Sequence, residues 1–226
     1  MKTMFLTALM LTLSSGLLLA DKETDERLQN AATAFQEIMS APDKGIPGGV
    51  LDKAECVVVV PGMKKAGFIV GGSFGRGAIS CRGKDKASWS APAMVELGGG
   101  SVGFQIGASA TDVVMLVMNR AGIESLLKSK FTLGGDASVA GGPVGRSSTA
   151  ETDAAMKAKI LSYSRSRGVF AGVSLTGMTL NQDEGANKAV YGKQLDSAEI
   201  LNGNVTMPAG AKPLTQMLTK YSPKGI

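Results

Sequence analysis

Cys56-Val57-Val58-Val59-Val60-Pro61, followed by Gly71-Gly72-Ser73-Phe74-Gly75-Arg76-Gly77, is the stretch that decides how this chain folds. The run of β-branched residues between Glu55 and Pro61-Gly62 reads as a buried strand. Phe68 to Ser73 and Gly77 to Cys81 follow as strand-like pieces interrupted by Gly71, Gly72, Gly75 and Gly77. Glycine at that frequency weakens a strand unless backbones approach closely or the sheet bends sharply. The expectation is therefore a sheet built around unusually intimate strand contacts.

Downstream, the pattern continues. Val102, Phe104, Ile106 and Ala108 alternate with Gly103, Gln105, Gly107 and Ser109, giving one face of large groups and one of small. Val113 to Met118 is apolar on both faces and should run through the middle of a sheet. Asn119 to Lys128 reads as a short helix with Ile123, Leu126 and Leu127 inward. The glycine-rich alternation returns in Thr132 to Arg146 and in Val169 to Leu180. Residues 150–164 suit a helix by composition, yet Met156, Ala158, Ile160 and Ser162 form one strand face, and strand is the preferred reading. Residues 183–191 and 212–220 read as terminal helices.

Upstream, Leu28, Ala31, Ala32, Phe35, Ile38 and Met39 recur on one helical face, so residues 24–40 form an amphipathic helix ended by Pro42 and Pro47-Gly48-Gly49. That face has two readings: it packs on the domain, or it also lies at a membrane interface. Before it, Met4 to Leu19 is an apolar run and charge begins abruptly at Asp21, the layout of a secretory signal peptide. With Thr7, Thr12, Ser14, Ser15 and Gly16 inside, the run is short for the ~20 residues of a membrane span. We therefore expect residues 1–20 to be an export signal and residues 21–226 to be one domain, since no low-complexity linker divides them.

Composition narrows the chemistry. The chain has 226 residues with 44% hydrophobic, 19% charged and no histidine, which removes Ser-His-Asp triads, Cys-His dyads and imidazole metal sites. Its 30 glycines are nearly twice the ~7% of ordinary domains but lack the triplet period of collagen. The net charge is +5, a weak pointer to anionic surfaces that an unbalanced solvated surface explains equally well. Cys56 and Cys81 either bridge, as an oxidising compartment permits, or stay as two buried thiols.

Several motifs carry less than their spelling suggests. Gly98-Gly99-Gly100-Ser101-Val102-Gly103 fits a dinucleotide fingerprint, but the sequence after it is strand-like where a helix is required. Gly141-Gly142-Pro143-Val144-Gly145-Arg146-Ser147 lacks the first glycine and the lysine of a phosphate loop; it reads as a tight turn, with Arg146 as a candidate anion contact. Asp112 stands alone and suits a turn cap better than acid-base work. The serines at 147, 148, 162, 164 and 166 have no histidine to activate them, leaving only a formal Ser-Lys pairing with Lys157 or Lys159. Lys64, Lys65, Arg76, Arg82, Lys84 and Lys86 cluster in sequence with Trp89 close behind, which suits an anionic headgroup surface or, alternatively, scattered solvated charge around a core tryptophan.

The succession Ile46-Pro47, Leu51, Ala54, Val57 to Pro61 and Gly71 to Gly77 resembles the opening of the SYLF domain family. Trp89 to Ala93, Gly99 to Ala108, Thr111-Asp112, Gly142 to Arg146, Tyr163-Ser164 and Gly168 to Gly172 look like its later signatures, in order, from about Arg27 to Gly192. The resemblance implies an α+β, β-rich domain: a glycine-laced antiparallel sheet or barrel-like core, an N-terminal amphipathic helix and short C-terminal helices. It implies no catalysis, cofactor or metal. Eukaryotic relatives are described as binding phosphoinositide membranes, partly through that helix, and some bind actin; carried over by position, the helix residues are Leu28, Phe35, Ile38 and Met39. The expectation for this chain is an exported, periplasmic or secreted, non-enzymatic domain, peripheral on an envelope membrane. Its ligand would be an anionic lipid or other amphiphile, with no nucleic-acid partner and any protein partner unidentified. The alternative is an envelope structural or protein-interaction domain with incidental lipid affinity.

Overall fold

The computed structural model describes residues 22–41, 45–67, 70–102, 109–119, 122–123, 130–143, 158–166, 169–170, 175–203 and 205–225. Nine strands form one mixed sheet: β1 (Cys56–Gly67), β2 (Val70–Cys81), β3 (Ala93–Val102), β4 (Ser109–Val117), β5 (Lys130–Thr132), β6 (Val139–Gly141), β7 (Ile160–Ser166), β8 (Val169–Phe170) and β9 (Thr179–Gln182). Their order is β5-β9-β3-β2-β1-β4-β7-β6, with β8 added on β7; every pairing is antiparallel except β6 with β7. The sheet is antiparallel apart from that one parallel pairing, and the described residues of the two pieces expected at Phe68–Ser73 and Gly77–Cys81 belong to the single long β2, while residues 68 and 69 lie outside the described residues.

β1 sits between β2 and β4, which explains its unbroken valines. Val57 and Val59 enter one core; Cys56, Val58 and Val60 enter another on the opposite face, so no position is left for a polar residue. The first core is roofed by α1 (residues 22–39) and α5 (Lys212–Tyr221), which contribute Leu28, Ala31, Phe35, Ile38, Leu214 and Leu218. The second gathers Phe131 of β5, Leu180 of β9, Val95 and Leu97 of β3, and Ile160 of β7, with Ile200 and Leu201 from α4 (Ser197–Leu201). Strands from one end of the order to the other share this core, so the sheet curls around it as a half-barrel.

The curl is concentrated at Pro61-Gly62. Before it Val60 pairs with Val113; after it Met63 pairs with Thr111, so β1 carries one extra residue, a β-bulge that also accommodates the missing amide of Pro61. Gly62 has φ +55 and donates its N–H to Asp112 Oδ1 at 2.8 Å. The extra residue flips the side-chain alternation of β1, sending Met63 into the second core and Lys64 to the helix-covered side. Opposite the bulge β2 must be bare: a Cβ on Gly77 would stand 2.0 Å from the Val59 carbonyl oxygen, and one on Gly75 would stand 2.5 Å from Val60 Cγ1. The glycine signature is the imprint of the bulge on its neighbour.

α1 matches the expected helix, and its apolar face is consumed by the core. Leu28, Phe35 and Ile38 are fully buried and Met39 packs partly buried beside them, with Phe35 edge-on to Tyr221 at 6.0 Å between centroids. Those four residues, expected as lipid contacts, are core residues in this conformation because the sheet offers them a larger apolar surface than one helix can meet alone. Two short helices escaped the sequence reading: α2 (Gly48–Leu51) and α4, the latter only five residues long but carrying an Asp196–Glu199 capping box. α3 (Glu184–Tyr191) was legible through its Asp183 cap and its C-terminal Gly192 at φ 69.

The other end of the sheet is stapled. Cys56 and Cys81 face each other across β1 and β2 and are joined as a disulfide. Next to it, Arg82 stacks on the buried Trp89 ring at 4.0 Å and donates to the Ser222 carbonyl at 3.0 Å and to the Ser222 hydroxyl; Trp89 Nε1 donates to the same carbonyl at 3.3 Å. Ser222 in turn bonds Asp52 after α2, so this cation ties the C-terminal segment to β2. Burial pushes the Arg82 guanidinium down from its ordinary value against the opposing pull of Asp52 and Glu55.

These contacts set four stability outcomes. Phe35→Ala should cost about 3–5 kcal/mol in urea unfolding, because it opens a cavity in the first core. Adding reductant should cost about 3 kcal/mol for a bridge spanning a sequence separation of 25, which the same titration reads. Arg82→Lys should cost about 1–3 kcal/mol, since an ammonium reproduces neither the stacking nor the forked donation; exposed Lys84→Ala should shift the midpoint little.

Candidate functional site

The acids that the sequence singled out, and two beside α1, are committed to structural partners. Asp112 accepts from the Gly62 amide, Asp136 from the Thr132 amide at 2.7 Å, Asp183 pairs with Arg27 at 2.7 Å, and Glu37 pairs with Arg165. Two open grooves flank α1. One, of about 210 Å³, is lined by Glu23, Arg27, Arg76 and Asp183; its charges already pair with one another. The other, of about 280 Å³, holds Asn30, Thr33, Glu37 and Asp112, and both of its carboxylates are engaged. Gly98 to Val102 lie in extended chain within β3, paired along β2, so they make no strand-to-helix turn around a phosphate. No group of three metal-ligating side chains occurs among the described residues. Arg146 and Lys157 lie outside the described residues; Lys159 uses its amide to meet Ser138 Oγ at 3.0 Å.

The six basic residues that cluster in sequence are divided in space. Arg82 is internal, as is Trp89, and neither can meet a surface. Lys86 pairs with Glu55, and Arg76 is held by Glu23 at 3.0 Å and Glu96 at 3.1 Å. Lys64, Lys65 and Lys84 have no ion pair among the described residues. Lys64 is level with Phe74, whereas Lys84 follows the far end of β2; at ~3.3 Å per residue that separates them by roughly 25 Å. The expected single patch is therefore two separate places.

One of them is chemically distinctive. Beyond the first turn of α1 no described helix covers the same face of the sheet: Ala78 and Met94 lie under the helix, while Arg76, Phe74 and Gly72 on β2, and Glu96, Gly98 and Gly100 on β3, follow on the same side. Lys64 lies in register with Phe74 and with Ala110, and Phe74 with Gly98, forming a row across four strands. Phe74 is the one large apolar side chain standing exposed among the described residues, at 48%. Its ring leans across Gly98, where a Cβ would stand 3.6 Å away, and the Arg76 guanidinium lies 5.7 Å from the ring centroid. Lys65 projects from the opposite side of β1, half-buried. Gly72 and Gly100 carry open space above them. Such a surface has no nucleophile and base in reach of one another; it can adsorb something both anionic and apolar. Phe74 was visible in the sequence only as an aromatic residue amid glycines.

Comparisons with known proteins point to one family. A family model described as Ysc84, Las17-binding protein actin regulator, matches residues 98–221. An SH3 domain-containing protein of Schizosaccharomyces pombe, PJ696.02, is 39% identical over 176 residues, covering 76% of this chain and 40% of that protein. The SH3 domain-containing YSC84-like protein 1 of Bos taurus is 35% identical over 84% of this chain and 56% of its own length, and Protein YSC84 of Saccharomyces cerevisiae 36% over 78% and 38%. This chain thus spans about half the length, or less, of the curated relatives it matches. With more than half of its residues under the family model, and the glycine-laced sheet that the SYLF signatures implied, the chain belongs to the Ysc84, or SYLF, family.

Proposed function

We propose that this domain works without catalysis, by adhering to anionic lipid surfaces outside the cytoplasm. The observation that carries the reading is the exposed Phe74 level with Lys64 on one face of the sheet, with Lys65 on the other face of β1; neither lysine has a carboxylate partner among the described residues, and no described helix covers that end. An aromatic ring and an ammonium group side by side match the two layers of a bilayer interface, apolar below and phosphate above. Export is supported by the apolar run from Met4 to Leu19 and by the Cys56–Cys81 bond, which suits an oxidising compartment. The structural use of Asp112, Asp136 and Asp183 favours adhesion over turnover.

A second reading is a protein-interaction domain, favoured by the family description as a Las17-binding actin regulator. An exported chain meets neither cytoplasmic actin nor its regulators, so the partner would be an envelope protein. Co-sedimentation decides between them. Vesicles of phosphatidylcholine with an anionic lipid should pellet the protein, neutral vesicles should not, and raising the salt should release it, since each lysine near the surface contributes about 1 kcal/mol that counter-ions screen. Equal and negligible pelleting with both vesicles would turn the account toward a protein partner.

A further inference from the structure

No charged residue occurs between Lys65 and Arg76, nor between Glu96 and Asp112: two stretches of ten and fifteen residues in a chain that is 19% charged. At that average about five charges would be expected there, so their joint absence needs a reason. The fold puts the described ends of the two stretches together. Gly67 pairs with Gly71, Val70 with Val102, Gly72 with Gly100 and Lys65 with Ser109, so the strand ends of both stretches form one uncharged end of the sheet. Around it stands a collar of Lys64 and Lys65, neither ion-paired among the described residues, and of Arg76, which is paired with Glu23 and Glu96, with Phe74 at the level of Lys64.

Resting on the lipid reading above, we propose that the domain docks by this hairpin end, with α1 remaining folded on the core. The uncharged strand ends enter the interface, the collar lysines meet lipid phosphates, and Phe74 lies at the boundary between the two. Three residues separate Phe74 from the Gly67–Gly71 pair, about 10 Å along the strands, which matches the ~5–10 Å depth at which amphipathic elements sit in a headgroup layer. The described β1–β2 and β2–β3 residues of that end are paired with one another, so this part of the backbone can leave water without orphaned amides.

Magnitude decides against the alternative in which α1 inserts. Leu28, Phe35 and Ile38 are already out of water, so moving them into lipid gains nothing over leaving them in the core. The move would also break the pairs Glu23–Arg76, Arg27–Asp183 and Glu37–Arg165, which tie α1 to β2, to the start of α3 and to β7. Phe74 needs no rearrangement. The occupant is a bilayer and not a free anion, because Lys64 and Lys65 leave opposite faces of one strand and enclose no cage.

The full chain and five variants test this on vesicles of phosphatidylcholine and phosphatidylglycerol. Gly72→Asp and Gly100→Asp place a charge in open space, so neither should clash, and each should weaken pelleting about tenfold or more while leaving the urea midpoint unchanged. Phe74→Ser should weaken it about tenfold, and Lys84→Glu, at the far end of β2, should stay within a few-fold of the parent. As a direct readout that does not depend on those variants folding, Phe74→Trp should fluoresce and be quenched by brominated lipids, whereas the buried Trp89 of the parent should not. A parent that pellets equally with Gly72→Asp, Gly100→Asp and Phe74→Ser, or an unquenched Phe74→Trp, overturns the docking mode and leaves lipid binding standing. A parent that fails to pellet overturns both. Pelleting in the absence of vesicles that Gly72→Asp abolishes would instead assign the uncharged end to self-association and also overturn the proposal.

Discussion

β1 and β2 approach so closely at the Pro61-Gly62 bulge that Gly77 cannot carry a side chain without meeting the Val59 carbonyl oxygen at 2.0 Å. The rest of the architecture depends on that contact. One extra residue in β1 increases local twist and turns a sheet with two buried faces into a half-barrel around the second core. It also reverses which residues of β1 face the helices. Without the reversal Lys64 would point into the second core and Met63 toward solvent beside Phe74, and the basic collar would not exist.

The two ends of the sheet divide structure from interaction. At one end the Cys56–Cys81 bond, the Arg82–Trp89 stack and Ser222 fasten strands, α2 and the C-terminal segment into a node whose cation is wholly internal. At the other, no described helix covers the sheet, glycines leave the surface low, and the charged residues stop at a boundary. A cation therefore has opposite meanings at the two ends: Arg82 organises the fold, and Lys64 is available to a partner.

Much of the fold could be read from residue patterns because those patterns are forced by burial. The valines of β1, the apolar faces of β4 and α1, and the glycine-flanked α3 each follow from one local rule, and all appear where expected. Other features rest on contacts remote in sequence. Whether α1's apolar face meets a sheet or a membrane depends on Val57, Met94 and Leu161 being assembled beneath it, and periodicity alone describes both outcomes equally. The basic cluster misled for a similar reason: adjacency along the chain hides the length of β2, which separates Lys64 from Lys84, and hides Trp89 beneath Arg82. α4 was missed because one helical turn leaves no periodicity, although its capping box is spelled in the sequence.

Amide hydrogen exchange of the full chain, free and on anionic vesicles, tests the central claim most directly. The account predicts added protection at the described ends of β2 and β3, residues 70–74 and 98–102, with exchange through residues 28–38 of α1 unchanged. Faster exchange of α1 on vesicles, with those strand ends unaffected, would show that the helix leaves the core to bind and would contradict the account.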